Sequence, residues 1–220
     1  MRFIYMIPAA LLAPAIHEWV KALCSALQGD QTPRNTGRLT LNPFKHFEPV
    51  GFMFILLFGF GWGKPVDTTA LHYKDRQRGV IVTYITPVLI SLILGLVSAA
   101  LVAILAGGGG DGLIPLRIVF SQLVFFPFLP PDLHSLGMIL LAHFALININ
   151  LAIFNLIPVY PLAANHILLR LSRPDTIARL THYEKPLQII LILFLLFEIA
   201  ERVIVPISMR IIVFAWGIVA

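Results

Sequence analysis

From Gly79 to Ala106 the chain runs without a charged residue, and this stretch limits the possible folds more than any other feature. A helix needs about 20 apolar residues to span a bilayer, and this run exceeds that. Two further apolar runs, Phe3–Leu27 and Leu136–Ile157, are also long enough. Composition agrees: 58% of the 220 residues are hydrophobic and 12% are charged. A soluble domain has roughly 45–50% apolar and about 25% charged residues. Lipid is therefore the expected solvent, and the expected class is an all-α polytopic membrane protein.

Between these runs the chain is short-looped and basic. A polar hinge spans Gly29–Glu48, where Thr40 and Leu41 between turn residues suggest a short extended or hairpin element. Val50–Trp62 is apolar but too short to cross, which favours a re-entrant segment. Lys64–Arg78 is polar. Gly107–Gly110 reads as a loop, and the apolar patch Ile118–Leu129, broken by prolines, as interfacial. Pro158–Pro186 is a basic loop with a short helix around His166–Leu171. Leu187–Ala220, interrupted by Glu198, Glu201, Arg202 and Pro206, forms one span or two. Glu198 and Arg202 stand one turn apart and are expected to neutralise each other. The N-terminus resembles a signal peptide, but its apolar run continues to Leu27 and is expected to stay as a helix. No repeat and no soluble domain is visible. A single membrane domain covers 1–220, with a core of approximately 3–172 and a C-terminal hydrophobic segment at 187–220.

The net charge of +5 is distributed in a way that excludes nucleic acid as its cause. Arg34, Arg38 and Lys45 lie in one loop, Lys64, Lys74, Arg76 and Arg78 in the next, and Arg170, Arg173, Arg179 and Lys185 in a third. Segment 107–135 carries only Arg117. By the positive-inside rule the three basic loops are cytoplasmic and the N-terminus is outside. Trp62, Tyr73 and Trp216 read as interfacial aromatics. The one cysteine, Cys24, has no partner for an intrachain disulfide and reads as an inert thiol.

Ionisable residues inside a span are expensive and usually functional. His17-Glu18-Trp19-Val20-Lys21 lies inside the first apolar run, about ten residues, or roughly 15 Å, from its cytoplasmic end. A zincin helix would read H-E-x-x-H here, with two histidines one turn apart on Zn²⁺ and a glutamate activating water. The second histidine is a lysine.

Three longer stretches place this group in context. HEWVKALCSALQGDQTPRNTGRLTLNPFKHFEPVG, FGWGKPV and NINLAIFNLIPVYPLAANHIL follow one another in that order. Together they resemble the site-2 protease family of intramembrane zinc metalloproteases, and in particular its small bacterial members, over approximately residues 10–170. HEWVK and the residues after it are similar to the family's metal helix followed by its G-D-x-T-x…GRLTLNP-x-x-H-x-D-P-x-G stretch. FGWGKPV is similar to its FGWAKPV loop. The segment from Asn148 onward is similar to its last core helix, N-L-x-x-x-x-F-N-L-x-P-x-x-P-L-D-G-x-x-I-L. The resemblance implies a three-span core with a re-entrant segment and one or two added C-terminal spans, in a bacterial cytoplasmic membrane. It places the family's metal ligands on His17, Lys21 and Ala163, its catalytic glutamate on Glu18, and two asparagines of its last core helix on Asn148 and Asn155, which are carried over as binding residues. The motif A-G-P-x-x-N of the middle core helix reads Ile85-Thr86-Pro87-Val88-Leu89-Ile90.

A catalytic zinc takes three protein ligands and leaves a place for water. An ammonium group has no lone pair and a methyl group cannot ligate, so His17 and Glu18 would be vestiges. The sequence thus implies a pseudoprotease that binds a transmembrane segment or membrane partner without cutting it, with GRLTLNP contacting an extended strand by β-addition. No cofactor is expected on this reading. The alternatives are an active zinc protease whose site has moved to His46, His143 or His166, and a structural subunit of a larger membrane complex. The partners expected are membrane lipids and a transmembrane peptide or membrane protein. His72, His134 and His182 fall in loops and are expected in water.

Overall fold

The computed structural model describes residues 2–106, 122–124, 132–160, 162–196 and 199–217, and the regular structure in them is helical. The elements are α1 (Arg2–Leu27), α2 (Thr32–Asn35), a 3-10 turn (Pro43–Lys45), α3 (Pro49–Phe58), a second 3-10 turn (Ala70–His72), α4 (Arg76–Leu105), α5 (Leu133–Phe154), α6 (Ala163–Leu171), α7 (Pro174–His182), α8 (Glu184–Leu196) and α9 (Ile199–Gly217). α1, α4 and α5 are long and apolar enough to cross a membrane, so the chain is an integral membrane protein.

Helices in lipid gain little from the hydrophobic effect on meeting, so small side chains that permit close approach hold them together. α1 presents Ala9, Ala10 and Ala13 to Ile55 and Ile147. α4 and α5 meet through Ala99, Ala103, Ala142 and Ala145. Gly95 marks their closest approach: a Cβ there would sit 2.5 Å from Ile149 Cγ1 and 3.1 Å from the Ala145 carbonyl oxygen. Asp75 starts α4 by accepting from the Gln77 and Arg78 amides, and Asp132 starts α5 by accepting from Ser135. Pro8, Pro14 and Pro87 lie inside the spans, where neighbouring helices and side chains can satisfy the freed backbone groups.

α3 has 10 residues, about 15 Å of helix against the roughly 30 Å of a bilayer core. After Gly59, which ends α3 in the left-handed conformation, the chain doubles back along it. Gly51 and Gly61 make that return possible, because a Cβ on either would overlap backbone of the opposite arm. The aromatic rings of Phe54, Trp62 and Phe154 stack at the fold. Trp62 is thus half-buried in an aromatic cluster instead of lying in an interfacial belt.

Of the short extended or hairpin element expected at Thr40–Leu41, the hairpin does not form; there is no strand among the described residues. The Arg38 and Leu39 amides turn back onto the Pro33 carbonyl, and the Thr40 carbonyl is taken by the His46 ring. Asn42 then starts the 3-10 turn. Between Pro158 and Pro186 the chain forms α6 and also a second helix, α7, which opens with Pro174 in its first turn. Among the described residues the C-terminal segment shows two helices, α8 and α9, and neither is long and apolar enough to count as a span. α9 nevertheless lies along the α4–α5 pair. Ile204 joins Phe54 and Phe154, while Met209 and Ile212 join Ala99, Val102 and Ile139. Between them the Ser208 hydroxyl donates to Asn150 Oδ1, and Asn150 Nδ2 donates to the Gly59 carbonyl. Glu198, Gly107–Gly110 and the side chains of Glu201 and Trp216 lie outside the described residues. So does most of Ile118–Leu129, although Leu123 and Val124 are described and buried.

A polar hub locks the end of α1 to the loop before α4. Asp30 is fully buried and accepts from Ser25 Oγ at 2.7 Å, the Thr32 amide at 2.9 Å and the Thr69 amide at 2.8 Å. Tyr73, expected at the interface, is buried here, and its hydroxyl meets Ser25 and Thr83. Burial would raise the Asp30 pKa, but these hydrogen bonds outweigh it and hold the carboxyl below its ordinary value of 3.8. A depressed carboxyl stabilises the fold above its unfolded pKa and loses that contribution as pH falls through the folded value. Asp30→Asn is expected to destabilise the protein by roughly 1–3 kcal/mol at pH 7. Thermal melts in detergent should show the gap between variant and wild type closing as pH drops below the ordinary carboxylate range.

Candidate functional site

The charged residues of α1 meet the returning arm of α3 and the middle of α4. His17, Glu18 and Lys21 retain only 4%, 8% and 5% of their exposure. Desolvated charges at this depth must be paired, and they are: Lys21 Nζ lies 2.7 Å from Glu18 Oε2. The pairing follows from i,i+3 spacing on a helix. The same oxygen accepts the Val66 amide at 2.7 Å, which ties the loop after Trp62 down onto α1. The Lys21 ammonium also stands 5.6 Å from the centre of the Tyr84 ring.

The His17 imidazole walls the same cavity and reaches α4, where its Nδ1 lies 3.0 Å from Ser91 Oγ. Asn155 comes in from the end of α5. It donates to the Leu151 carbonyl, and its Oδ1 accepts the Ala163 amide at 3.3 Å, which fixes the start of α6. A cavity of about 10 Å³ remains, walled in part by His17, Glu18, Trp62, Pro65, Asn155 and Leu162. That is room for at most one water molecule.

Two backbone bonds and one arginine hold the loop over this cavity. The Val66 amide is bound to Glu18, the Lys64 amide donates to the His46 carbonyl at 2.8 Å, and Arg38 donates to the Lys64 carbonyl at 2.6 Å. Burial, with the Arg38 charge adding to it, keeps the His46 imidazole below its usual pKa. Neutral His46 then donates from Nε2 to the Thr40 carbonyl at 2.8 Å.

Of the residues expected to form a site, His17, Glu18, Lys21 and Asn155 are brought together. Ala163 stands behind Tyr84, which packs against it in one buried cluster. Asn148 is buried two turns back along α5, outside the cavity wall, with Nδ2 donating to the Phe144 carbonyl and Oδ1 unpartnered. The histidines considered as relocated ligands do not gather. His46 is in the hinge, His143 donates from Nδ1 to Ile139 on its own helix, and His166 stacks on Tyr84 at 4.2 Å. His72, His134 and His182 are exposed as expected, but they lie in the second 3-10 turn, the first turn of α5 and the last turn of α7 and not in loops.

A three-ligand zinc does not fit this donor set. One imidazole faces the cavity, the adjacent carboxylate is held by an ammonium and an amide, and among the described residues no three His, Cys, Asp or Glu side chains converge. Ser91, the Val66 amide and Tyr84 are the partners that sequence reading missed. Ser91 and Tyr84 carry a weak signal as polar groups inside an uncharged span, whereas a backbone amide carries none.

Over 192 residues the chain is 30% identical to the Bacillus subtilis (strain 168) protein named "Putative zinc metalloprotease YwhC", a match that covers 82% of this chain and 74% of that protein. No protein-family model matches the chain, and neither does any solved structure.

Proposed function

The chain belongs to the family of the Bacillus subtilis metalloprotease-like protein, and from that premise we propose that it is a pseudoprotease: a site-2-protease-like scaffold that binds a transmembrane segment or membrane partner without cleaving it. The observation that carries this reading is the buried ion pair. Lys21 puts an ammonium 2.7 Å from Glu18, where the zincin pattern would put a metal-ligating imidazole one turn from His17. The pair neutralises Glu18 and closes the site with the protein's own groups. His17 and Glu18 are then structural residues of the core, and Ala163 is a packing residue at the head of α6. Asn155, which walls the cavity, is the binding residue on the partner's side, Asn148 is a residue of the core, and the GRLTLNP segment would offer the partner backbone groups at Leu41.

The same reading sets the protein in a bacterial cytoplasmic membrane with the N-terminus outside and α3 with its returning arm as a re-entrant hairpin. α9 becomes an additional span, supported by its polar tie to Asn150 at the depth of α5. Cysteines placed at Arg34, Lys74 and Arg173 in a Cys24→Ala background should react with impermeant reagent only from the cytoplasmic side. Labelling of Lys74→Cys and Ser135→Cys from one side would overturn the arrangement.

The functional test is purification of the whole chain in mild detergent, followed by elemental analysis and identification of bound proteins in the same sample. Zinc well below one per chain is expected, together with an intact membrane-protein partner in stable ratio. Stoichiometric zinc would make the protein an active metalloprotease with a relocated site. A zinc-free protein that cleaves a transmembrane peptide would equally defeat the proposal.

A further inference from the structure

A larger cavity adjoins the first, of about 270 Å³, walled by Trp62, Phe154, Leu162 and Leu191. Its lining is mostly apolar, and only its rim is polar, where Gln188 donates to the Tyr160 carbonyl at 3.1 Å. The cavity is open on one side, and a mostly apolar lining favours an apolar guest over water. α8 forms the outer wall. Its inner residues Leu191 and Phe194 pack on the aromatic cluster around Phe154, while Ile189, Ile190 and Leu193 on the outside remain exposed. A helix exposing that much apolar surface stands in lipid, so hydrocarbon chains reach the mouth of the cavity directly.

We propose that this cavity binds one lipid acyl chain. The direction of the chain follows from the gradient along α8. Lys185 is exposed one turn before Gln188, and Leu191 and Ile192 follow one turn after it. A headgroup phosphate therefore lies by Lys185, the ester region by the Gln188–Tyr160 rim, and the hydrocarbon among Leu191, Trp62 and Phe154. The bound chain fills the space between α8 and the core and ends beside Pro65 and Leu162, which also wall the small cavity at His17 and Glu18. A partner entering from this side must displace it. Acyl-chain binding here is independent of the pseudoprotease reading, because it concerns residues that no zinc chemistry uses.

Trp62 supplies the probe, since Trp19 and Trp216 are the other two tryptophans. The whole chain carrying Trp19→Phe and Trp216→Phe is placed in nanodiscs of phosphatidylcholine with brominated acyl chains, and Trp62 fluorescence is read. Ile190→Trp, in a chain lacking all three native tryptophans, reports ordinary contact with surrounding lipid. Trp62 should be quenched at least as strongly as that reference. Plugging the cavity with Leu191→Phe and Ile192→Phe should remove most of the Trp62 quenching and leave that of Ile190→Trp unchanged. Unquenched Trp62 at every bromine position would overturn the proposal. So would quenching that the plug leaves intact, because lipid would then reach Trp62 by another path.

Discussion

Lys21→Ala should lower thermal stability more than the double change Glu18→Ala/Lys21→Ala. Both charges are buried, and the Lys21 ammonium is placed directly against the Glu18 carboxylate. Removing one member of a buried pair leaves the other charge uncompensated and typically destabilises by about 3–5 kcal/mol. In the single variant Glu18 would retain the Val66 amide as a close donor but no ammonium. The double variant has no stranded charge; it loses packing on Tyr84 and leaves one amide unsatisfied, a penalty of roughly 1–3 kcal/mol. Melting in detergent separates the two cases. Equal melting temperatures would mean that the pair contributes nothing beyond its separate parts, and Lys21 would then be a passive replacement. The ordering also bears on function, because the Glu18 oxygen that binds Lys21 holds the loop over the site. Glu18→Ala/Lys21→Ala, which removes the acceptor of the Val66 amide, should therefore loosen residues 62–66 while Lys21→Ala alone leaves them held, and protease nicking within that loop is a further readout.

What the sequence made legible at this site was whatever acts locally. Glu18 and Lys21 pair because helix geometry brings i and i+3 together wherever the helix goes. The three spans were legible for a similar reason, since an uncharged run the length of a bilayer has few other stable states. The partners of His17 and Glu18 were not legible. Ser91 lies on another helix, and whether it faces His17 depends on the rotation of α4, which Gly95 and the alanine contacts decide. Tyr73 misled because an amphipathic ring suits an interface, whereas Ser25 and Thr83 here give its hydroxyl a buried home. Thr40 and Leu41 misled because β-favouring residues between turn formers can be captured by nearby backbone. The His46 ring takes the Thr40 carbonyl before any strand can. α7 was missed because a basic, proline-bounded stretch reads as loop when its apolar positions, Ile177 and Leu180, are so few.

The zinc content of a rebuilt site should change most of all. If the chain descends from a metalloprotease by loss of ligands only, Lys21→His with Ala163→Asp should bind near-stoichiometric zinc after dialysis. Neither change by itself should do so, because His17 and one further ligand hold the ion too weakly. The structure gives each substitution a reason to work. Position 21 is one helical turn beyond His17, the spacing of a zincin pair. Ala163 follows Leu162, which walls the cavity, and it shares a buried cluster with Tyr84, whose ring centre is 5.6 Å from the Lys21 ammonium. Ser91 is already hydrogen-bonded to His17 Nδ1, and a hydrogen bond to one ring nitrogen is how ligating histidines are oriented. Removing the Lys21 ammonium also frees the Glu18 carboxylate. Zinc retained only by the double variant would support ligand loss from a preserved scaffold. Tight zinc in the wild type would sink the pseudoprotease reading and direct attention to His143 and His166. A well-folded double variant without zinc would mean that α1 and α6 have moved apart since the ligands were lost, because the three donors would then be present in sequence and separated in space.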